Sequence, residues 1–136
     1  DYSTISSILV VTMKCQTYAE QVVETWESEY KKGLLTFWIL LSLYDGEKHA
    51  REIKQFIECD ATTNLEVDEK SVYRSVGRLR KMGLVEHRQV ESPNGGPKLK
   101  LNTLTSDGYT ALQLFYRRNI RRTFLTEEFI QRTKGL

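Results

Sequence analysis

The sequence predicts a mainly helical fold with one small β-hairpin, and three observations carry that prediction. The first is the stretch Asp68 to Arg88, which reads as an amphipathic helix stopped by a glycine and followed at once by a strand. Val72, Val76 and Leu79 recur on one apolar face, and Gly83 fits the left-handed position just past a helix end. The second is a pair of alternating stretches, Leu84 to Glu91 and Lys98 to Leu104, separated by the turn signal Ser92-Pro-Asn-Gly-Gly-Pro97. The third is the pair of helical patterns that precede them, Leu34 to Tyr44 and Lys48 to Cys59. Helix, turn, helix and then a hairpin with a glycine-rich basic tip is the order of a winged helix-turn-helix, here with extra helices at both ends.

In chain order, residues 14–32 read as a first helix. Ala19, Val22, Val23, Trp26 and Tyr30 form one stripe, and the glutamates lie largely off it. Gly33 separates it from Leu34 to Tyr44, which is apolar nearly all round and so predicts a helix buried on most sides. That run is eleven residues long, too short to cross a bilayer. Asp45-Gly46 signals a turn. In the helix from Lys48 to Cys59, Ile53, Phe56 and Ile57 face inward, with Lys48, Arg51, Glu52 and Lys54 mostly outward. Asp60 to Asn64 is a polar loop. Asp68 is the N-cap candidate of the next helix, and Glu69 suits the positive end of its dipole.

The outward face of that helix carries Lys70, Arg74, Gly77, Arg78 and Lys81, flanked by Ser71 and Tyr73, and no acid. Such a face is either simply solvated or laid against something negatively charged. The charge distribution favours the second. Residues 1–67 carry six basic and eleven acidic groups, residues 68–136 fourteen and seven, so the halves stand at −5 and +7. In the hairpin, Leu99, Leu101 and Thr103 point one way, and Lys98, Lys100 and Asn102 the other.

Thr105 caps a last long helix, with Asp107 in its first turn. Tyr109, Leu112, Tyr116, Ile120 and Thr123 follow the spacing of a helix packed lengthwise on another, while Leu114 and Phe115 lie off that stripe. Two faces therefore want burial, which predicts a partner subunit. Thr126-Glu-Glu starts a short final helix. Cys15 and Cys59 stand alone, with only His49 and His87 as companions, so they read as free thiols of an intracellular protein, with a single bridge in a thermophile as the alternative, and with no metal or cofactor. No catalytic constellation stands out. Gly95-Gly96 lies in a hairpin between prolines and does not open a helix, so it is not a phosphate loop. Residues 1–12 precede a start-like Met13-Lys14 and read as a flexible extension rather than a signal peptide.

At this point the residues resemble those of the PadR-like winged-helix transcriptional regulators, the short type with a single long C-terminal helix. The resemblance covers roughly Trp26 to Asn119. It rests on Lys48-His-Ala-Arg-Glu-Ile53, on Ser71 to Leu79 with Gly83-Leu-Val85, and on the wing with its exit Leu104-Thr-Ser-Asp-Gly108. Ala50 and Arg51 depart from the family's glycine and tyrosine, and Leu101-Asn102 from its wing tyrosines. The resemblance implies a cytoplasmic homodimer that binds an operator in double-stranded DNA, usually as a repressor relieved by a small-molecule effector, here unidentified.

The expectations are then as follows. Residues 1–12 are an extension, 13–33 an N-terminal helix, 34–104 the winged-helix unit, and 105–136 a C-terminal dimerisation helix and tail. The recognition helix 68–82 enters the major groove of an inverted repeat, and the wing 92–98 lies on the backbone. Lys70, Ser71, Tyr73, Arg74, Arg78, Lys81, Lys98 and Lys100 contact DNA, while Val22, Trp26, Tyr109, Leu112, Phe115, Tyr116 and Ile120 form the dimer interface. Two other readings compete: a winged helix used as a protein-interaction adaptor, and an architectural protein that coats DNA with little sequence preference.

Overall fold

The computed structural model describes residues 16–61, 63 and 65–136, so the expected extension 1–12 and Cys15 lie outside the described residues. The chain divides after Leu34 into two compact units, each described by itself. In the first, helix α1 spans Tyr18–Gly33. The sequence placed its start at residue 14, but a capping box sets it at Tyr18. Thr17 Oγ1 accepts the Glu20 amide at 3.2 Å, and the Glu20 carboxylate accepts the Thr17 amide at 2.9 Å. Gly33 closes this helix from within, as its last residue.

The second unit is built round helix α2, Leu35–Tyr44. It buries Phe37, Ile39, Leu40, Ser42 and Leu43, and packs against Ala50–Gln55, Phe56–Asp60, Glu69–Lys81, Leu99–Leu104 and Ser106–Phe115, as a helix apolar on most sides must. Helix α3, Ala50–Gln55, continues as a π-helical turn over Phe56–Asp60 and fully buries Ile53 and Ile57. It does not begin at Lys48. His49 is the cap, its Nδ1 accepting the Glu52 amide while the Glu52 carboxylate accepts the His49 amide. Lys48, expected outward, is drawn into the fold. Its backbone forms an antiparallel bridge with Asn102, and its Nζ donates to the Ser42 carbonyl at 2.7 Å, near the end of α2. The polar loop that follows is tied back by Thr63 Oγ1 on the Ile57 carbonyl and by the Val67 amide on the Glu58 carboxylate.

Helix α4, Glu69–Lys81, buries Val72, Val76 and Leu79 as their spacing requires, and Ser75 with them. Asp68 holds the N-cap position, yet its side chain makes no capping bond; the exposed carboxylate stays solvated. At the other end Gly83 has φ +77°. The Leu84 amide donates to the Leu79 carbonyl and the Gly83 amide to that of Arg80, both at 3.0 Å, a Schellman closure that turns the chain into the hairpin.

Strands β1, Val85–Val90, and β2, Leu99–Leu104, pair antiparallel from Val85↔Leu104 to Val90↔Leu99. Val85, His87 and Gln89 therefore share a face with Leu104, Asn102 and Lys100. Val85 and Asn102 on that face are buried, at 2% and 3% exposure. The inward side of the wing is thus its more polar side, and Leu99 and Leu101 face away, half-buried.

Thr105 joins the hairpin to helix α5, Ser106–Phe115. Its Oγ1 accepts the Gly108 amide at 3.0 Å and donates to the Gly83 carbonyl at 2.6 Å. Gly108 is pressed so closely on the Leu84 carbonyl that a Cβ would overlap it. Beyond α5 come a π-helical turn over Tyr116–Arg121, helix α6 (Arg122–Phe124) and helix α7 (Glu127–Thr133), the last capped by Thr126 as the sequence predicts. Helix α5 rests on α2 through Tyr44 stacked on Tyr109 and Phe37 tilted against Phe115, with ring centroids 5.7 and 5.4 Å apart. Among the described residues no helix is long and apolar enough to cross a membrane.

Candidate nucleic-acid interface

Burial of the Val72–Val76–Leu79 stripe fixes the rotation of α4 and turns the opposite face to solvent. Lys70, Tyr73, Arg74, Arg78 and Lys81 are all exposed; Ser71 sits half-buried at the edge. Among the described residues none of these four cations is paired with a carboxylate. Arg74 Nε leans on the Lys70 carbonyl and Arg78 Nη2 donates to Ser75 Oγ at 2.9 Å. Cations without acid partners keep their full attraction for an external anion. Within α4 the acids Asp68 and Glu69 are confined to the N-terminal end, where Glu69 faces Arg51 at 3.9 Å.

The wing divides the two lysines that the sequence treated alike. Lys98, near the hairpin tip, is exposed, with its Nζ 3.7 Å from Glu91. Lys100 is half-buried on the inward face and reaches back to α4. Its Nζ donates to Tyr73 Oη at 3.2 Å and lies 5.6 Å from the centre of the same ring. That hydrogen bond, and then the ammonium charge, hold the Tyr73 phenol below its ordinary range. His87, on the same face, is pushed below the usual imidazole range by burial first, then by the charges of Arg80 and Lys100. On the outward face Arg88, opposite Leu101 in register, reaches Glu47 at 2.7 Å and ties the wing to the segment entering α3.

Three residues that this geometry uses escaped the sequence reading: Arg80, Asn102 and Lys48. Arg80 follows Tyr73 by seven residues, so at 100° per residue it lies about 20° from it on the helix; that signal was available. Asn102 and Lys48 meet only through a bridge 54 positions apart in the chain, which no local pattern encodes.

Of the expected interface residues, Leu112 is 5% exposed inside the chain's own core and Phe115 is engaged with Phe37. Tyr109 and Tyr116 are exposed and Ile120 half-buried. Val22 and Trp26 lie on α1, which buries none of its residues. Cys59 is a free, exposed thiol.

Comparisons with known proteins agree with this architecture. No curated protein matches the chain. A PadR-like transcription factor from Bacteroides fragilis matches at 29% identity and TM-score 0.56, over 68% of this chain and 86% of that one. A PadR-like transcriptional regulator from Bacillus cereus matches at 26% and 0.60, over 74% and 94%. The structure of Bacillus subtilis PadR in complex with operator DNA matches at 21% and 0.58, over 63% and 48%, and shares the fold. The model of the transcriptional regulator PadR-like family matches residues 39–114, more than half of the chain, from within α2 through the wing into α5, and the chain belongs to that family.

Proposed function

We propose that the protein is a sequence-reading, double-stranded DNA-binding transcriptional regulator that acts as a homodimer, most simply as a cytoplasmic repressor. Helix α4 enters the major groove, and the wing tip with Lys98 follows the backbone. The observation that carries this reading is the outward face of α4, where Lys70, Arg74, Arg78 and Lys81 stand exposed without acid partners on a helix whose other face is locked in the core. The Bacillus subtilis relative, which shares the fold, is described in complex with operator DNA. Lys70 and Arg74, nearest the N-terminal end of the exposed face, read base edges; Arg78, Lys81 and Lys98 hold phosphates.

A dimer is supported by the apolar surface left on the C-terminal helices. Leu114, Tyr116, Leu125 and Ile130 are 41, 37, 59 and 57% exposed. A two-fold partner covering that surface sets two recognition helices about 34 Å apart, one turn of duplex. Residues 13–33 and 105–136 then serve assembly, and 34–104 reads DNA. Since Leu112 is a core residue, Tyr116→Glu with Ile120→Glu is the pair that tests assembly without unfolding the chain.

The experiment is in vitro selection of duplex, followed by binding to selected and random duplex across a salt series, with equilibrium sedimentation of parent and pair variant. Selection of an inverted repeat by a dimeric parent, lost in a folded monomeric variant, supports the reading. Equal binding to random duplex makes the protein architectural, and no duplex binding makes it an adaptor.

A further inference from the structure

The wing is a lever whose direction is settled over a short stretch. At its base the hairpin is fixed by buried Val85 and by the Thr105 hydroxyl on the Gly83 carbonyl. The Lys48–Asn102 bridge then holds one edge, with the Lys48 amide on the Asn102 carbonyl at 3.1 Å and the Asn102 amide on the Lys48 carbonyl at 2.9 Å. Two bonds along one edge leave the hairpin free to rotate about that edge. From Glu91 to Lys98 every residue except Ser92 is exposed, so packing does little to hold the tip. Lys98 lies three residues beyond Leu101, about 10 Å along the strand. A rotation of about 20° at Leu101 therefore carries it roughly 3.5 Å, farther than a hydrogen bond is long.

Just beyond the bridge a tie lies on each face of the hairpin. On the inward face Lys100 Nζ donates to Tyr73 Oη at 3.2 Å. On the outward face Arg88 Nη2 donates to Glu47 Oε1 at 2.7 Å and Arg88 Nε to Glu47 Oε2 at 3.3 Å. Glu47 precedes the bridging Lys48, and Arg88 pairs with Leu101 in register, so this fork crosses the outward face of β2. Among the described residues it is the only ion pair that joins the hairpin to the rest of the unit; that of Lys98 with Glu91 stays within the hairpin. The hydrogen bond from Arg88, above all, draws the Glu47 carboxyl below its ordinary range, so the pair is charged at neutral pH. An exposed pair contributes little to stability, yet a two-bond fork fixes orientation. Opposed ties on the two faces stop rotation in both senses.

We propose that Glu47 is a positioning residue for DNA binding: with Arg88 it sets the tilt of the wing, and so the reach of Lys98 to the backbone of a bound duplex. Glu47 acts through Arg88 and Lys98, with no contact to the duplex of its own. The inference rests on the DNA-binding reading and gives an acid an unexpected sign. A carboxylate beside a basic surface repels phosphate, so by charge alone its removal tightens binding. Removal of a clamp does the opposite.

The test compares the full chain with Glu47→Ala, Glu86→Ala, Lys98→Ala, Glu47→Ala/Lys98→Ala and the exchanged pair Glu47→Arg/Arg88→Glu, on selected and random duplex across a salt series. Glu86, exposed on the same face of β1 as Arg88, controls for charge. Glu47→Ala should bind all duplexes about fivefold more weakly near 0.15 M salt, the worth of one phosphate contact, with the shallower salt slope of Lys98→Ala. Glu86→Ala should bind at least as tightly as the parent. The double variant should be no weaker than Lys98→Ala alone, because both changes remove the same contact. The exchanged pair should recover most of the loss. Unchanged or tighter binding by Glu47→Ala, additive losses in the double variant, or no recovery on exchange each overturn the proposal. Hydrogen exchange without DNA supplies a second readout. In Glu47→Ala the amides of Lys48 and Asn102 should exchange about tenfold faster, while those of Val76 and Leu79 keep the parental rates. A parallel rise at all four makes the pair merely structural, and no rise at the bridge removes the clamp. A parent that binds no duplex ends the functional reading, and the clamp is then judged on these exchange rates.

Discussion

Helix α4 and strand β2 both divide their side chains between core and solvent, and they obey opposite rules. In α4 the apolar residues go inward and the charged ones outward. In β2 the buried residue is Asn102, Lys100 leans inward on Tyr73, and Leu99 and Leu101 lie on the far side. The difference is one of neighbours. Helix α4 meets a hydrophobic wall formed by α2 and α3, so burial of its valines and Leu79 decides its rotation. The hairpin, which touches α2 through β2, also meets the backbone of Lys48 and a helix edge bearing Tyr73 and Arg80. There, hydrogen-bonding groups have more to gain than methyls, because the backbone groups they satisfy would otherwise be buried unpaired.

The largest expected effect opposes one leucine from each element. Leu79→Ala should cost about 2–5 kcal/mol in urea denaturation, as truncation of a packed core leucine does. Leu101→Ala, on the outward face of the wing, should cost below about 1 kcal/mol, since only half-buried surface is lost. Equal losses would break the comparison. Next comes the junction between the two elements. Gly108→Ala drives a methyl group into the Leu84 carbonyl and should lower stability by about 1–3 kcal/mol; a neutral result in the same denaturation assay would show that the junction yields.

On DNA the same contrast separates reading from holding. Arg74→Ala should weaken the selected site by about 1–3 kcal/mol and relax one base position. Lys98→Ala should weaken all duplexes alike and reduce the salt slope by roughly 1. Competition binding at several salt concentrations measures both, and exchanged behaviours would reverse the assignment of helix and wing. Asn102→Ala comes next, at about 1 kcal/mol of stability, because its amide bond to Lys48 is lost while the backbone bridge remains.

The smallest effect is a pH dependence. The folded state holds the His87 ionisation below its ordinary 6.5, so it favours the neutral ring. Its contribution is complete above about pH 6.5 and is lost as pH falls through the lower folded value. Thermal melts between pH 8 and 5 should show a fall in the parent that is shallower in His87→Gln. Identical profiles would remove His87 from the wing's inward electrostatics.

By itself the sequence determined the order of elements, the rotation of α4, the stop at Gly83 and the caps at Thr105 and Thr126. Each is set within a few residues by periodicity, backbone sterics or a local hydrogen bond. It also determined the segregation of positive charge into the second half. Only the tertiary structure decided that Lys48 turns into the fold, which face of the wing turns inward, that Leu112 belongs to the core, and that Arg80 and Lys100 share a cleft with Tyr73. Those outcomes depend on partners far apart in the chain, Lys48 with Asn102 and Tyr73 with Lys100. Alternation along a strand specifies two faces but not which one meets the helices; that is settled by what the helices present to it.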